Sequence, residues 1–243
     1  MIDPRGSVIQ RRLAGVARVV AVCSAKGGVG KTLCTTAAGA ALAARGRRVG
    51  ILDLDLQGST AHLFLGAAPG LPEEDKGILP AAVGDNLGLV SAAMFAGNRA
   101  LALRGPEITD AILELMAVTQ WGDRDVLLID MPPGIGEEVL DLARLVPRLE
   151  ALVVSTPSAA STLVVERLLA FLAEMKVPVR GVIANMVRGD EASVREMARR
   201  FGVPLVGVVG WEPELEQALG SLVRLRQSKA AASLVEALEE VGL

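Results

Sequence analysis

Residues 19–32 read VVAVCSAKGGVGKT, which is a β-branched run, a glycine-rich loop and the start of a helix. Glycines allow backbone N–H groups to turn inward around phosphate oxygens without Cβ clashes. A helix that begins directly after such a loop adds the positive end of its dipole to the same site. The segment therefore predicts a phosphate-binding strand–loop–helix unit at the start of an α/β domain.

Two lysines stand in this loop, Lys26 and Lys31, although only five of the 25 basic residues in the chain are lysine. A compact, flexible ammonium suits a phosphate cradle better than a guanidinium fork. We expect Lys31 to contact the β- and γ-phosphates of ATP and the Thr32 hydroxyl to ligate Mg²⁺. The usual eight-residue pattern has glycine at position 25, where this chain has Ala25. The predicted nucleotide-binding loop is Lys26, Gly27, Gly28, Val29, Gly30, Lys31 and Thr32.

Short apolar runs alternate with helical stretches along the rest of the chain, which is typical of βαβ units and a parallel sheet. The 243 residues are 51% hydrophobic but only 2% aromatic, and an aliphatic core suits a parallel sheet covered by helices. We predict one α/β domain, 1–243, with a doubly wound, mostly parallel sheet and a flexible N-terminal extension over 1–16. The expected strands are Arg18–Cys23, Arg47–Asp53, Leu87–Ala92, Asp125–Asp130, Ala151–Ser155, Val179–Ala184 and Pro204–Val209, and 67–85 is expected to be a surface loop.

The overall composition disfavours several classes of protein. A net charge of −3 and an isoelectric point near 5.4 give no reason to expect nucleic acid as the main partner. Two cysteines and the lack of a long uncharged apolar run disfavour a disulfide-built secreted domain and a membrane span. We expect a cytoplasmic protein without a signal peptide. The one histidine, His62, is expected in a loop, and a histidine-based catalytic or metal site is not expected.

Acidic residues follow two of the apolar strands. Asp53 and Asp55 stand at the end of the second strand, and Asp130 ends the run VLLID. Because the carboxyl ends of parallel strands meet at one edge of the sheet, these carboxylates face the ligand crevice. We expect one acid of the first pair to orient a water for attack on the γ-phosphate, unless both merely cap the next turn. Asp130 is expected to hold Mg²⁺ through its water shell, with the Gly134 N–H meeting the γ-phosphate.

The loop and the acids together resemble a known family. Residues 26–32 resemble the deviant Walker A, or signature-lysine, loop of the ParA/MinD P-loop ATPases. Residues 130–134, DMPPG, resemble the switch II of the Mrp branch, the iron–sulfur carrier and scaffold ATPases. The resemblance covers roughly Gly15 to Leu219 and includes LRGP at 103–106, WGDRD at 121–125, STP at 155–157 and NM at 185–186.

This resemblance implies an Mg-ATP-dependent ATPase that works as a homodimer with ATP between the subunits. Lys26 would then reach the nucleotide of the partner subunit, Asp55 would orient the water and Asp130 would serve Mg²⁺. Asn185 would contact the adenine, and the loop near Pro213 would flank the base. The catalytic residues implied are Lys26, Lys31 and Asp55.

One departure from the family pattern concerns the iron–sulfur cluster. Cluster-carrying relatives have a CxxC after the Asn-Met strand, where this chain reads NMVRGDE at 185–191 without a cysteine. Clusters are held by thiolates, and Cys23 and Cys34 are expected to be packed small hydrophobes. We therefore expect a role linked to iron–sulfur protein biogenesis without cluster ligands of the chain's own.

Two alternatives remain open at this stage. One is a ParA- or MinD-like positioning ATPase that gates binding to DNA, membrane or a partner protein, and the other is a nucleotide-gated adaptor with negligible turnover. The amphipathic tail at 233–240 is acidic, which disfavours anionic lipid, and we expect it to dock on the sheet. The arginines at 188, 195, 199 and 200 are expected to form a solvated helix face rather than a DNA site. The client protein is unknown from the sequence.

Overall fold

A twisted sheet runs through the computed structural model, which describes residues 4–67, 70–96, 103–134, 136–146 and 148–243. The strands in these ranges are β1 (Val19–Cys23), β2 (Val49–Asp53), β3 (Ala81–Ala82), β4 (Leu87–Ser91), β5 (Val126–Asp130), β6 (Leu149–Ser155), β7 (Val179–Val187) and β8 (Leu205–Gly210). Their order across the sheet is β3-β4-β2-β5-β1-β6-β7-β8. Neighbouring strands are parallel except for the antiparallel pair of β3 and β4.

Helices connect most of the strands. Those in the described ranges are α1 (Arg5–Arg12), α2 (Lys31–Ala44), α3 (Ala61–Leu65), α4 (Ala93–Ala96), α5 (Pro106–Val118), α6 (Glu137–Leu145), α7 (Ala159–Glu174), α8 (Ala192–Arg200), α9 (Leu215–Ala218), α10 (Leu222–Arg226) and α11 (Lys229–Glu240).

The central strands are buried on both faces. In β1, β2, β4, β5 and β6 every residue is buried, as expected for parallel strands made of aliphatic side chains and covered by helices. Alternate residues of β1 enter different cores: Val19 and Ala21 pack with α1, α5, α6, α7 and α8, whereas Val20 and Val22 pack with α2, α10 and α11. The predicted doubly wound, mostly parallel architecture is confirmed.

The expectation of a flexible extension over 1–16 is wrong for the described part, residues 4–16. Helix α1 forms there, and its Ile9 side chain is 0% exposed in the core on the α5 side of the sheet. The Arg12 Nε also donates a hydrogen bond to the Ala117 carbonyl, 3.1 Å away. Helix α1 has only a small apolar surface within a mostly charged segment. The mean composition of that segment therefore did not indicate a helix. That the chain forms one domain over 1–243 stays a prediction.

Short elements account for most other differences from the sequence-based expectations. The segment 67–85, expected as a loop, contributes the two-residue edge strand β3. His62 lies in α3 rather than in a loop, and its side chain is largely buried. Helices of four or five residues, such as α4, α9 and α10, are too short to produce a visible apolar period. Within the described ranges, the helices are all too short or too polar to cross a membrane.

Candidate functional site

Three strands end at one place on the carboxyl edge of the sheet. Strand β1 lies next to β5, and β5 lies next to β2. The register pairs Asp53, the last residue of β2, with Asp130, the last residue of β5. The loop that follows β1 therefore emerges beside two carboxylates, which is where ligands bind in open parallel sheets.

The loop between β1 and α2 has the backbone that the glycines predict. Gly28 and Gly30 adopt φ values of 78° and 82°, a left-handed conformation that favours glycine. Gly30 also caps α2, and a Cβ there would lie 2.2 Å from the Asn185 amide nitrogen. Only glycine therefore fits at this position without moving Asn185. Gly27, Gly28 and Lys26 are exposed, whereas Val29 is buried.

Lys31 and Thr32, the first residues of α2, both reach Asp130. The Lys31 Nζ lies 2.7 Å from Asp130 Oδ1, and the Thr32 hydroxyl donates to Asp130 Oδ2 at 2.6 Å. The Thr35 hydroxyl, one helical turn later, also donates to Oδ1 at 3.1 Å. Asp130 itself is 0% exposed. Thr35 escaped prediction because the loop pattern ends before it.

Hard cations prefer carboxylate, hydroxyl and water oxygens. The Thr32 hydroxyl and the Asp130 carboxylate supply these donor atoms side by side at the start of α2. The residues present therefore fit Mg²⁺, and its binding there stays a prediction. They differ from the prediction in one respect: Lys31 contacts the carboxylate directly, because the buried charge of Asp130 needs a partner.

Asp53 adds a second buried carboxylate that is hydrogen-bonded to the backbone and to Ser91. Its Oδ1 accepts from the Asp55 N–H at 3.1 Å, and its Oδ2 accepts from the Ala61 N–H and the Ser91 hydroxyl. Burial, followed by the charge of Asp130, raises the pKa of Asp53 to about 7, although the two backbone hydrogen bonds act in the opposite direction. Asp53 therefore shapes the start of the segment that carries Asp55.

Asp55 lies just beyond the end of β2 and is partly exposed. Its Oδ1 accepts a hydrogen bond from the Gly58 N–H at 3.0 Å, and the Ser59 hydroxyl donates to its carbonyl at 2.7 Å. The turn-capping alternative considered for this acid is therefore present in the structure. Capping engages one carboxylate oxygen and does not prevent a second role.

Gly134 makes a backbone hydrogen bond that the sequence did not predict. It has a φ of 110°, and its N–H donates to the Ser24 carbonyl at 2.9 Å rather than facing an open site. The turn after β5 therefore lies against the residue that follows β1. A contact from the Gly134 N–H to a γ-phosphate stays a prediction, and it would require this hydrogen bond to be exchanged for one to phosphate.

A cavity of about 390 Å³ adjoins the loop on the β7 and β8 side, and we call it the base cavity. Asn185 and Pro213, the two predicted base contacts, both line it. The Asn185 amide nitrogen also donates to the Val29 carbonyl at 2.8 Å, which ties the end of β7 to the loop. The lining residues of the base cavity are Gly30, Leu33, Phe64, Asn185, Met186, Gly210, Trp211, Glu212, Pro213, Leu215 and Leu219.

The two cysteines lie in different hydrophobic cores. Cys23 packs on the α5 side of the sheet, and Cys34 packs on the α2 side. Burial raises the pKa of each thiol to about 12. Neither is placed to act as a thiolate ligand at neutral pH. Within the described ranges, histidine, cysteine and acidic residues form no cluster of three or more that could hold a metal ion.

Most of the surface features considered for DNA or lipid binding have ordinary structural partners, although Arg188 follows β7, lies on no helix and has no carboxylate partner among the described residues. On α8, Arg195 pairs with Glu191, Arg199 pairs with Glu196, and Arg200 pairs with Glu166. The acidic helix α11 packs against α2 and β8 with its apolar face buried. The docked-helix interpretation of the C-terminal tail is therefore confirmed.

Comparison with known proteins agrees with this geometry. The family model ParA, described as NUBPL iron-transfer P-loop NTPase, matches residues 15–241. The iron–sulfur cluster carrier protein of Mycobacterium tuberculosis strain H37Rv is 33% identical over 93% of this chain, and the chain spans 64% of that relative's length. The iron–sulfur cluster carrier protein of Saccharolobus solfataricus is 33% identical over 86% of this chain and 76% of the relative.

Solved structures resemble the whole fold. A nucleotide-binding protein from Archaeoglobus fulgidus in complex with ADP is 25% identical, with a TM-score of 0.75 over 95% of this chain and 92% of that chain. The cell division ATPase MinD of Pyrococcus furiosus has a TM-score of 0.71 over 93% of this chain and 98% of that chain, at 22% identity. The second likeness concerns the fold alone.

Proposed function

Because the chain belongs to the ParA family of NUBPL iron-transfer P-loop NTPases, we propose that it binds and hydrolyses Mg-ATP as a nucleotide-switched homodimer linked to iron–sulfur protein biogenesis. The observation that carries this proposal is the cluster at the start of α2 in which buried Lys31 and partly buried Thr32 both contact Asp130. It places an ammonium, a hydroxyl and a carboxylate where the helix dipole also favours phosphate.

In the proposed site, Lys31 leaves Asp130 for the phosphate oxygens when ATP binds. The Thr32 hydroxyl, and Asp130 through the water shell, would hold Mg²⁺, which would supply positive charge to the phosphates. Lys31 is well suited to this exchange because Asp130 keeps the hydrogen bonds from two other donors, Thr32 and Thr35. Asp55 orients the attacking water with the carboxylate oxygen that the turn does not use.

Asn185 supports adenine as the base. Its amide nitrogen is committed to the Val29 carbonyl, and a carbonyl only accepts hydrogen bonds, so this partner fixes the orientation of the amide. The Asn185 Oδ1 is therefore the atom left to contact a ligand in the base cavity. An acceptor at this point favours the amino group of adenine over the carbonyl oxygen of guanine.

The contrast between the two loop lysines supports a dimer with ATP at the interface. Lys31 is buried and paired, whereas Lys26 is exposed, and its ammonium has no hydrogen bond or ion pair among the described residues. The glycine loop and Lys31 already serve a phosphate within one subunit. We assign Lys26 to the nucleotide of a second copy, as a charge supplied across an interface.

The link to iron–sulfur chemistry comes from the family and from its relatives, which are iron–sulfur cluster carrier proteins. Cys23 and Cys34 are too buried and too weakly acidic to hold a cluster, so the proposed role is to act on a cluster-handling partner rather than to carry the cluster. A positioning role on DNA is less well supported, because the α8 arginines are neutralised by glutamates.

Mixing two inactive variants tests the proposed dimer. Lys26→Ala and Asp55→Ala should each hydrolyse ATP poorly as homodimers. If Lys26 acts across the interface and Asp55 acts within its own subunit, each mixed dimer has one site with both residues intact. Partial turnover should therefore return on mixing. Pull-down with a tag on one variant verifies that mixed dimers form; their formation without any return of turnover would contradict the assignment of Lys26.

A further inference from the structure

Trp211 and Arg188 form a stacked pair at the rim of the base cavity. The Arg188 guanidinium carbon lies 4.2 Å from the centroid of the Trp211 ring. The sheet register fixes this arrangement, because Val187 and Gly210, the residues just before them, are Cα partners on β7 and β8. The backbone N–H of Trp211 also donates to the Val187 carbonyl at 2.9 Å. The backbones of β7 and β8 therefore place the Trp211 indole next to the Arg188 guanidinium.

The two tryptophans of the chain differ in exposure. Trp121, the other tryptophan, is 1% exposed in the core, whereas Trp211 is 47% exposed and lines the base cavity. Arg188 has no carboxylate partner among the described residues, unlike the three arginines of α8. Its charge lies on the indole instead, where it is attracted by the negative face of the ring. Neither residue thus serves the core or a surface ion pair.

We infer that Trp211, held in place by Arg188, is the surface on which the nucleotide base stacks, and that this pair gives the site its preference for purines. The inference rests on the proposed binding of ATP. An aromatic face accepts any base, but the larger purine ring system overlaps it more. Because Arg188 restricts the indole before the base arrives, less side-chain freedom is lost on binding.

Binding measurements on wild type, three variants of the pair and one control variant separate stacking from phosphate binding. Wild type, Trp211→Leu, Trp211→Phe and Arg188→Gln are titrated with Mg-ATP, Mg-CTP and inorganic tripolyphosphate, which has no base. Trp211→Leu should bind ATP about tenfold more weakly, lose most of its preference for ATP over CTP and bind tripolyphosphate as wild type does. Trp211→Phe should retain most of the affinity, and Arg188→Gln should lie between the two. Arg195→Gln, which removes an ion-paired arginine on α8, is the control and should match wild type.

Tryptophan emission provides a second, independent readout. The chain has two tryptophans and no tyrosine, so Mg-ATP should change the emission of wild type, and the change should be absent in Trp211→Phe. The unaltered signal of buried Trp121 verifies that this variant is folded. Wild type that binds neither ATP nor tripolyphosphate overturns the proposed function together with this inference. Wild-type affinity and selectivity in Trp211→Leu overturn the stacking inference alone.

Discussion

The Lys31 ammonium lies 2.7 Å from Asp130 Oδ1, and both side chains are buried at the carboxyl edge of the sheet. The lysine of the glycine-rich loop therefore has a structural task besides the one proposed for phosphate. Breaking a buried ion pair by removing one partner leaves an uncompensated charge, whereas removing both partners does not. This difference allows the two tasks to be measured separately.

Replacing Lys31 alone should destabilise the fold. We expect Lys31→Met to lower the free energy of unfolding by about 3–5 kcal/mol, because it leaves the Asp130 charge buried without a cation. The double variant Lys31→Met/Asp130→Asn should recover most of this loss. Urea unfolding of both proteins measures the difference. A double variant that is less stable than Lys31→Met would contradict the charge-pair explanation.

Asp55 should separate binding from turnover. Asp55→Asn keeps an oxygen that can accept from the Gly58 N–H but loses the negative charge. We expect Mg-ATP to bind as in wild type and hydrolysis to slow by about 100-fold or more. Size-exclusion chromatography with ATP should then show more dimer. Ser59→Ala, which removes the neighbouring hydrogen bond to the Asp55 carbonyl, is the control; an equal loss of turnover in this variant would show that Asp55 acts only through the shape of the turn.

The thiols should be unreactive in the native state. Because burial raises the pKa of Cys23 and Cys34 to about 12, thiolate is rare at pH 8, and a thiol reagent has little access. Ellman's reagent should label both cysteines rapidly in urea and neither in the native protein over the same period. Rapid labelling of the folded chain would remove the main argument against cluster ligands.

The free energy of unfolding should depend on pH through the ionisation of Asp53. Its pKa is raised, chiefly by burial, from an ordinary value of 3.8 to about 7, so the folded state binds more protons than the unfolded state between these values. The contribution of Asp53 to stability is therefore full below pH 4 and is lost as the pH rises through about 7. We expect the stability of wild type relative to Asp53→Asn to fall over this window in urea titrations. A relative stability that rises with pH would mean that the hydrogen bonds to Asp53 outweigh its burial.

The parallel sheet, and the residues that meet at its carboxyl edge, could be predicted from the sequence. Strands such as β1 and β5 are continuous apolar runs that end at functional residues, and their boundaries follow from the pattern. The approach of Lys31 and Thr32 to Asp130 follows from the meeting of parallel strand ends. These parts depend on local sequence and on one topological rule.

Other contacts depend on the packing of distant segments. The Gly134 N–H bonds Ser24 because the turns after β5 and β1 lie against each other, which no pattern in either segment indicates. The stacking of Arg188 on Trp211 depends on the register of β7 with β8. Helix α1 was missed because its buried Ile9 stands in a charged segment.

A calorimetric titration with Mg-ATP tests the central claim most directly, namely that the Lys31 loop binds the nucleotide. Wild type and Lys176→Ala, which removes an exposed lysine outside the site, should each bind one ATP per chain with equal affinity. Lys31→Ala, shown to be folded by circular dichroism at the temperature used, should bind about 10- to 150-fold more weakly. Binding by folded Lys31→Ala as tight as that of wild type, or no binding by wild type, would contradict the account.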